Sequence, residues 1–142
     1  MELKVKRLTR TAKLPQKAHA GDLCWDLFAD ENTVLMAGQT VIVKTNIAIQ
    51  PPPGYGAVIC ERSGLATKGI IVGAGQIDHG YRGPIGVVIR FLYDNPDECF
   101  YIDKGDKIAQ LKLEKIIESD IVEADELDDT VRGEDGFGST GK

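Results

Sequence analysis

At 142 residues, with 42% apolar and 27% charged side chains, the chain has the size and balance of one globular domain, which excludes the disordered and membrane-spanning classes. Its formal net charge of −5 argues against a general nucleic-acid binder, whose affinity comes largely from Lys and Arg neutralising phosphates. A small anionic ligand stays open wherever basic groups are focused locally. Cys24, Cys60 and Cys99 are too few and too far apart for a disulfide framework or a zinc site, so reduced thiols are expected. The first 17 residues mix Lys and Arg with single apolar residues. Neither a signal peptide nor a membrane span is expected from them, and a cytoplasmic protein follows.

In chain order, the near alternation from Leu3 to Leu8 suits a half-buried strand. Short β-rich runs then recur over 33–36, 40–49, 57–60, 70–72, 85–93, 99–102 and 108–117, most of them bounded by Gly, Pro, Asn or Asp. The stretch 113–127 is ambiguous, strand-like at its start and acidic at its end. No window of twelve or more residues keeps a clear helical period. The plan is all-β, with a barrel or jelly roll as the way to close the sheet edges. Pro51-Pro52-Pro53-Gly54 lacks three successive ladder N–H groups and marks a sharp corner. Residues 132–142 hold four glycines and one large apolar side chain, Phe137, so a β domain over 1–131 is expected to end in a mobile tail over 132–142.

Four segments could carry chemistry. Arg62-Ser63-Gly64 follows a strand and opens a short turn that Gly69 ends, with Ser63 placed to cap it. This is either a plain cap beside a surface Arg or a phosphate-binding set of free N–H groups beside a guanidinium. Residues 73–83 pack four glycines with Asp78, His79, Tyr81 and Arg82, either as a solvated hairpin or as a tight pocket whose backbone reads a flat base. Gly105-Asp106 reads as a turn into a strand in which Gln110, polar among apolar neighbours, must find partners. The tail matches the first seven positions of GxxxxGK(S/T), but it has no strand before it and no helix after it, so a P-loop is not expected.

Taken together and in order, these segments resemble the five motifs of the trimeric dUTPase family. Ala20 to Asp30 around Asp26, then Arg62 to Ala66, Gly75 to Gly83, Gly105 to Leu111 and Arg132 to Gly141 carry the resemblance. It implies a distorted jelly-roll subunit in a homotrimer with active sites shared between subunits, the tail closing as a lid. The implied activity is magnesium-dependent hydrolysis of dUTP to dUMP and pyrophosphate, which limits uracil in DNA and supplies dUMP for dTMP synthesis. By the same resemblance Asp78 is the base that activates water for attack on the α-phosphorus. Gly75, Ile77 and Tyr81 belong to the pocket for uracil and deoxyribose, with Tyr81 filling the space of a 2′-hydroxyl. Arg62, Ser63, Gly64 and Gln110 hold the phosphate chain, and Asp26 supports Mg²⁺ through water, the metal being held mainly by the phosphates. From a further subunit Arg132, Gly138, Ser139 and Thr140 grip the substrate while Phe137 stacks on uracil.

The chain departs from the family pattern at Glu61, where Pro is common, at Leu23-Cys24-Trp25, which is bulky, and at His79, where a small or acidic residue is usual. Two other readings stand beside it. A dCTP deaminase-like enzyme would need an extra acid/base in the third motif, and 73–83 contains no Glu. A dUTPase-like signalling module would not require Asp78 or a complete tail.

Overall fold

A computed structural model describes residues 1–93 and 95–134. Its strands, in chain order, are β1 (Lys4–Arg7), β2 (Trp25–Phe28), β3 (Thr33–Met36), β4 (Thr40–Lys44), β5 (Ile47–Gln50) and β6 (Tyr55–Cys60). After one helical turn, α1 (Ser63–Ala66), come β7 (Ile70–Gly73), β8 (Gln76–Ile77), β9 (Gly86–Phe91), β10 (Cys99–Ile102) and β11 (Lys107–Lys115). The all-β expectation holds, and no helix among the described residues is long and apolar enough to cross a membrane. Cys24, Cys60 and Cys99 are all free thiols.

Two sheets face each other across the core, one ordered β2-β11-β6-β8 and the other β4-β9-β7, with the pairs β1-β5 and β3-β10 closing the sides. Period-two alternation sends Leu27, Ala57, Ile59, Ile77 and Leu111 from the first sheet into one buried cluster with Val43, Ile70, Val87 and Ile89 from the second. Each fully buried aliphatic side chain contributes about 1.5–3 kcal/mol relative to exposure, so this seam is the main source of stability. The result is a distorted jelly roll.

Three readings of the sequence change. The run 40–49 is two strands, because Asn46 takes a left-handed φ of 50° and the buried Thr45 bonds the Ile85 carbonyl at 2.6 Å. The chain thereby leaves one sheet for another. Residues 73–83 are not a simple hairpin: β7 and β9 do pair, but the excursion between them adds β8 to the edge of β6 in the opposite sheet. Gly75 makes this possible, since a Cβ there would collide with the Ile59 carbonyl oxygen, while Ile59 N–H bonds Gly75 O at 2.7 Å. Lastly, the ambiguous 113–127 resolves into the end of β11 followed by residues without regular structure. The proline corner is where it was expected, with Tyr55 N–H closing back on Pro52 O at 3.1 Å.

Asp30, just beyond β2, is a buried anchor for three segments. It accepts hydrogen bonds from Thr9 Oγ1 at 2.6 Å and Asn46 Nδ2 at 2.8 Å and pairs with Lys104 Nζ at 3.1 Å. Burial alone would push its carboxyl up, but the hydrogen bonds from Thr9, Asn46, Thr11 and Lys104 outweigh that and hold it well below the carboxylate range. A depressed native pKa stabilises the fold above the unfolded value of about 4 and loses that contribution as pH falls towards the native value. Asp30→Ala is therefore expected to cost about 2–3 kcal/mol at neutral pH. The gap to wild type should narrow by about 1 kcal/mol between pH 5 and pH 3. Urea unfolding at both pH values measures it, and a gap independent of pH would refute the assignment.

Candidate active site

The first cluster forms around Asp26. This carboxylate lies on β2, only 6% exposed, and takes Lys107 Nζ at 2.7 Å on one oxygen and Gln110 Nε2 at 3.3 Å on the other. Arg62 Nε stands 3.7 Å from it, and Arg62 Nη1 donates to the Lys107 carbonyl at 2.6 Å. Burial pushes the Asp26 carboxyl up, but the bonds from Lys107 and Gln110, together with the charges of Lys107 and Arg62, bring it below the usual carboxylate value. Three of the motifs, far apart in the chain, thus converge on one buried anion.

A β-bulge makes the convergence possible. Residues three apart in a regular strand point to opposite faces, so Lys107 and Gln110 could not both reach Asp26. In β11 the register shifts between Lys107 and Ala109, with Lys107 opposite Phe28 and Ala109 opposite Leu27. The extra residue, Ile108, is buried, and Lys107 and Gln110 come to the face that carries Asp26. Lys107 was not singled out as a site residue in the sequence, although it sits inside the Gly105–Leu111 segment. Strand parity predicts the wrong face for it.

Arg62 is the second residue beyond β6 and lines a cleft of about 360 Å³ with Lys68, Asp106, Lys107 and the apolar Leu65 and Phe100. Ser63 is not the cap of α1. Arg62 holds that position, with φ −97° and ψ 127°, because the Leu65 and Ala66 N–H groups both bond Arg62 O at 2.9 Å, and no side chain caps the turn. Ser63 and Gly64 are exposed first-turn residues whose N–H groups precede any acceptor within the turn.

The second cluster is elsewhere. Gly75 and Ile77 fix β8 against β6, and Asp78 is the exposed residue that follows, on the wall of a cleft of about 210 Å³ lined also by Gly56, Gln76, Glu114, Lys115 and Ile116. Tyr81, 46% exposed, closes a turn through its N–H to Asp78 O at 3.1 Å and bonds Pro84 O through its hydroxyl at 3.0 Å. Nothing lining the Asp78 cleft also lines the Arg62 cleft. Within this chain Asp78 and the Arg62 cluster, expected from the sequence to serve as base and phosphate-holding set, line separate clefts. Arg132 is exposed after β11, and Phe137, Gly138, Ser139 and Thr140 lie outside the described residues.

Among the described residues no three His, Cys, Asp or Glu side chains gather as a metal cage. Asp26 fits a metal in a different way, as one buried carboxylate beside the cations Arg62 and Lys107, able to meet an ion that arrives with an anionic ligand.

Comparisons with known proteins all point to one family. The dUTPase family model matches residues 10–141. A deoxyuridine 5′-triphosphate nucleotidohydrolase of Arabidopsis thaliana is 45% identical over 139 residues, covering 97% of this chain and 82% of that protein. Among solved structures, a mutant of the Staphylococcus bacteriophage 80alpha dUTPase with dUpNHpp superposes with a TM-score of 0.92 at 28% identity, covering 99% of each chain. A mutant dUTPase from phage phi11 of S. aureus, described with a structural Mg(II) ion, has a TM-score of 0.80 at 27% identity, covering 89% of this chain and 98% of that one. With a match over nearly its whole length and the same fold, the chain belongs to the dUTPase family.

Proposed function

We propose that this chain hydrolyses dUTP to dUMP and pyrophosphate in sites assembled between the copies of a homotrimer. The observation that carries the reading is the convergence of Arg62, Gln110 and Lys107 on the buried Asp26. It is a cationic, hydrogen-bonding set suited to a phosphate chain, on a protein that is acidic overall. Family membership supplies the substrate class.

In this mechanism Asp78 of one subunit accepts a proton from water while the oxygen forms a bond to the α-phosphorus. The bond from that phosphorus to the bridging oxygen breaks, and pyrophosphate leaves with the electron pair. Arg62, the N–H groups of Ser63 and Gly64, and Gln110 of a neighbouring subunit orient the phosphates for in-line attack and neutralise their charge. Mg²⁺, when bound, supplies further charge neutralisation along the phosphate chain. Asp26 would help to hold that ion, and it keeps Arg62 and Gln110 in place. Arg132 and the segment with Phe137, Gly138, Ser139 and Thr140 close over the base and the terminal phosphate, excluding water.

Measuring pyrophosphate release from dUTP, dCTP, dTTP and UTP in parallel tests the reading. A rate on dUTP no higher than on the other three would overturn it, and release of ammonia from dCTP would point to deamination. The sugar choice rests on the Tyr81 ring, so Tyr81→Ala is expected to raise kcat/KM for UTP relative to dUTP by about tenfold or more. A hydroxyl rejected only by shape is worth about 1–3 kcal/mol. An unchanged UTP to dUTP ratio in Tyr81→Ala would remove Tyr81 from that role.

A further inference from the structure

We infer that His79 is a positioning residue that fixes the placement of Asp78 on the subunit; the inference rests on the proposed role of Asp78 as base. β8 is two residues long, and Asp78 follows its last ladder pair, Ala57 with Ile77. The chain is next tied to another strand at Ile85, whose N–H bonds Ile47 O at 2.8 Å. Between these points the loop makes bonds to itself. Tyr81 N–H closes on Asp78 O at 3.1 Å, the Arg82 guanidinium donates to His79 O at 2.6 Å and to Tyr81 O at 2.8 Å, and the Tyr81 hydroxyl donates to Pro84 O at 3.0 Å. Internal bonds set the shape of a loop and leave its position on the subunit free.

Position is set by the half-buried His79, whose Nδ1 lies 3.0 Å from the carbonyl oxygen of Tyr55. A carbonyl only accepts, so Nδ1 carries the proton and donates, and it does so whether the ring is neutral or charged. Tyr55 is a firm reference point. It opens β6, pairs with Lys115 of β11, and is tied through its own N–H to Pro52 O in the proline corner. The tether acts on the residue next to Asp78, so its loss moves the carboxylate directly. A base displaced by about 1 Å costs up to 10²-fold in rate.

The tether and a charge effect make opposite forecasts for one substitution. Asn places its amide nitrogen where the imidazole has Nδ1 but carries no charge, whereas Gln places it one bond farther out. His79→Ala and His79→Gln are expected to lower kcat for dUTP roughly tenfold. KM and the affinity for dUpNHpp should stay within about threefold, because the phosphate-holding groups lie elsewhere, and His79→Asn should return kcat to within about threefold of wild type. Thermal melting separates loss of fold from loss of placement, and His79→Gln carries the test if His79→Ala does not fold. A kcat for His79→Gln within twofold of wild type, or a His79→Asn variant as slow as His79→Gln, overturns the tether. Asp78→Asn, assayed beside them, keeps the two claims apart. If it stays active, the reading of Asp78 as base fails; if it is inactive while His79→Gln is unimpaired, only the tether fails.

Discussion

Asp78→Asn is expected to fold, to bind dUTP and to lose turnover by roughly 10²- to 10⁴-fold, the range for removing a positioned general base. The fold should survive because the hydrogen bond described for Asp78 runs from Tyr81 N–H to its backbone oxygen, which Asn keeps. Binding should survive because Arg62 lines a different cleft from Asp78, and Gln110 and Asp26 are bonded to each other on β11 and β2. The amide cannot take a proton from water, so the loss should fall on the chemical step. Single-turnover pyrophosphate release measures that step, and calorimetric titration with dUpNHpp measures binding. An Asn variant that turns over at near wild-type rate would remove Asp78 from the mechanism.

Mixed trimers of Asp78→Asn and Arg62→Ala subunits are expected to recover activity that neither homotrimer has. Arg62→Ala removes a charge-assisted phosphate contact worth about 1.5–3 kcal/mol, which is roughly a 10- to 100-fold loss in kcat/KM. If each site takes Asp78 from one chain and Arg62 from another, half of the positions for each group are intact after random 1:1 assembly. Roughly a quarter of the sites are then complete. A subunit-exchanged mixture should reach about that fraction of wild-type activity, and its composition can be read by native mass spectrometry. Verified mixed trimers with no more activity than the sum of their parents would mean that both groups serve a site from the same chain.

Much of this architecture could be read from local chemistry. β3 and β10 lie where apolar β-rich runs are bounded by turn residues, and the proline corner follows from its missing donors. β2 was not expected as a strand because Trp25-Asp26-Leu27-Phe28 is too short to establish a period and carries a buried carboxylate. β8 was hidden among glycines, and two residues carry no pattern at all. Asp26, Arg62, Gln110 and Asp78 were singled out by motif resemblance, and which of them the fold brings together depends on the sheet order. His79 and Lys107 were harder to read, since one acts through a carbonyl 24 positions away and the other through an irregularity in strand register. Long-range pairings of this kind leave no local signature.

The bulge in β11 works like a frameshift in a two-letter alphabet. From Ala109 onward, inward and outward positions alternate in one frame; Lys107 is written in the other. An inserted or deleted residue near Ile108 would leave Lys107 and Gln110 two or four positions apart, so that a regular strand in a single frame keeps both on the side of Asp26. A two-residue change would leave them an odd number of positions apart, and only a bulge would then keep both on that side. Evolutionary tolerance at this point of the strand is therefore set by whether a length change is odd or even, more than by which amino acid is gained or lost.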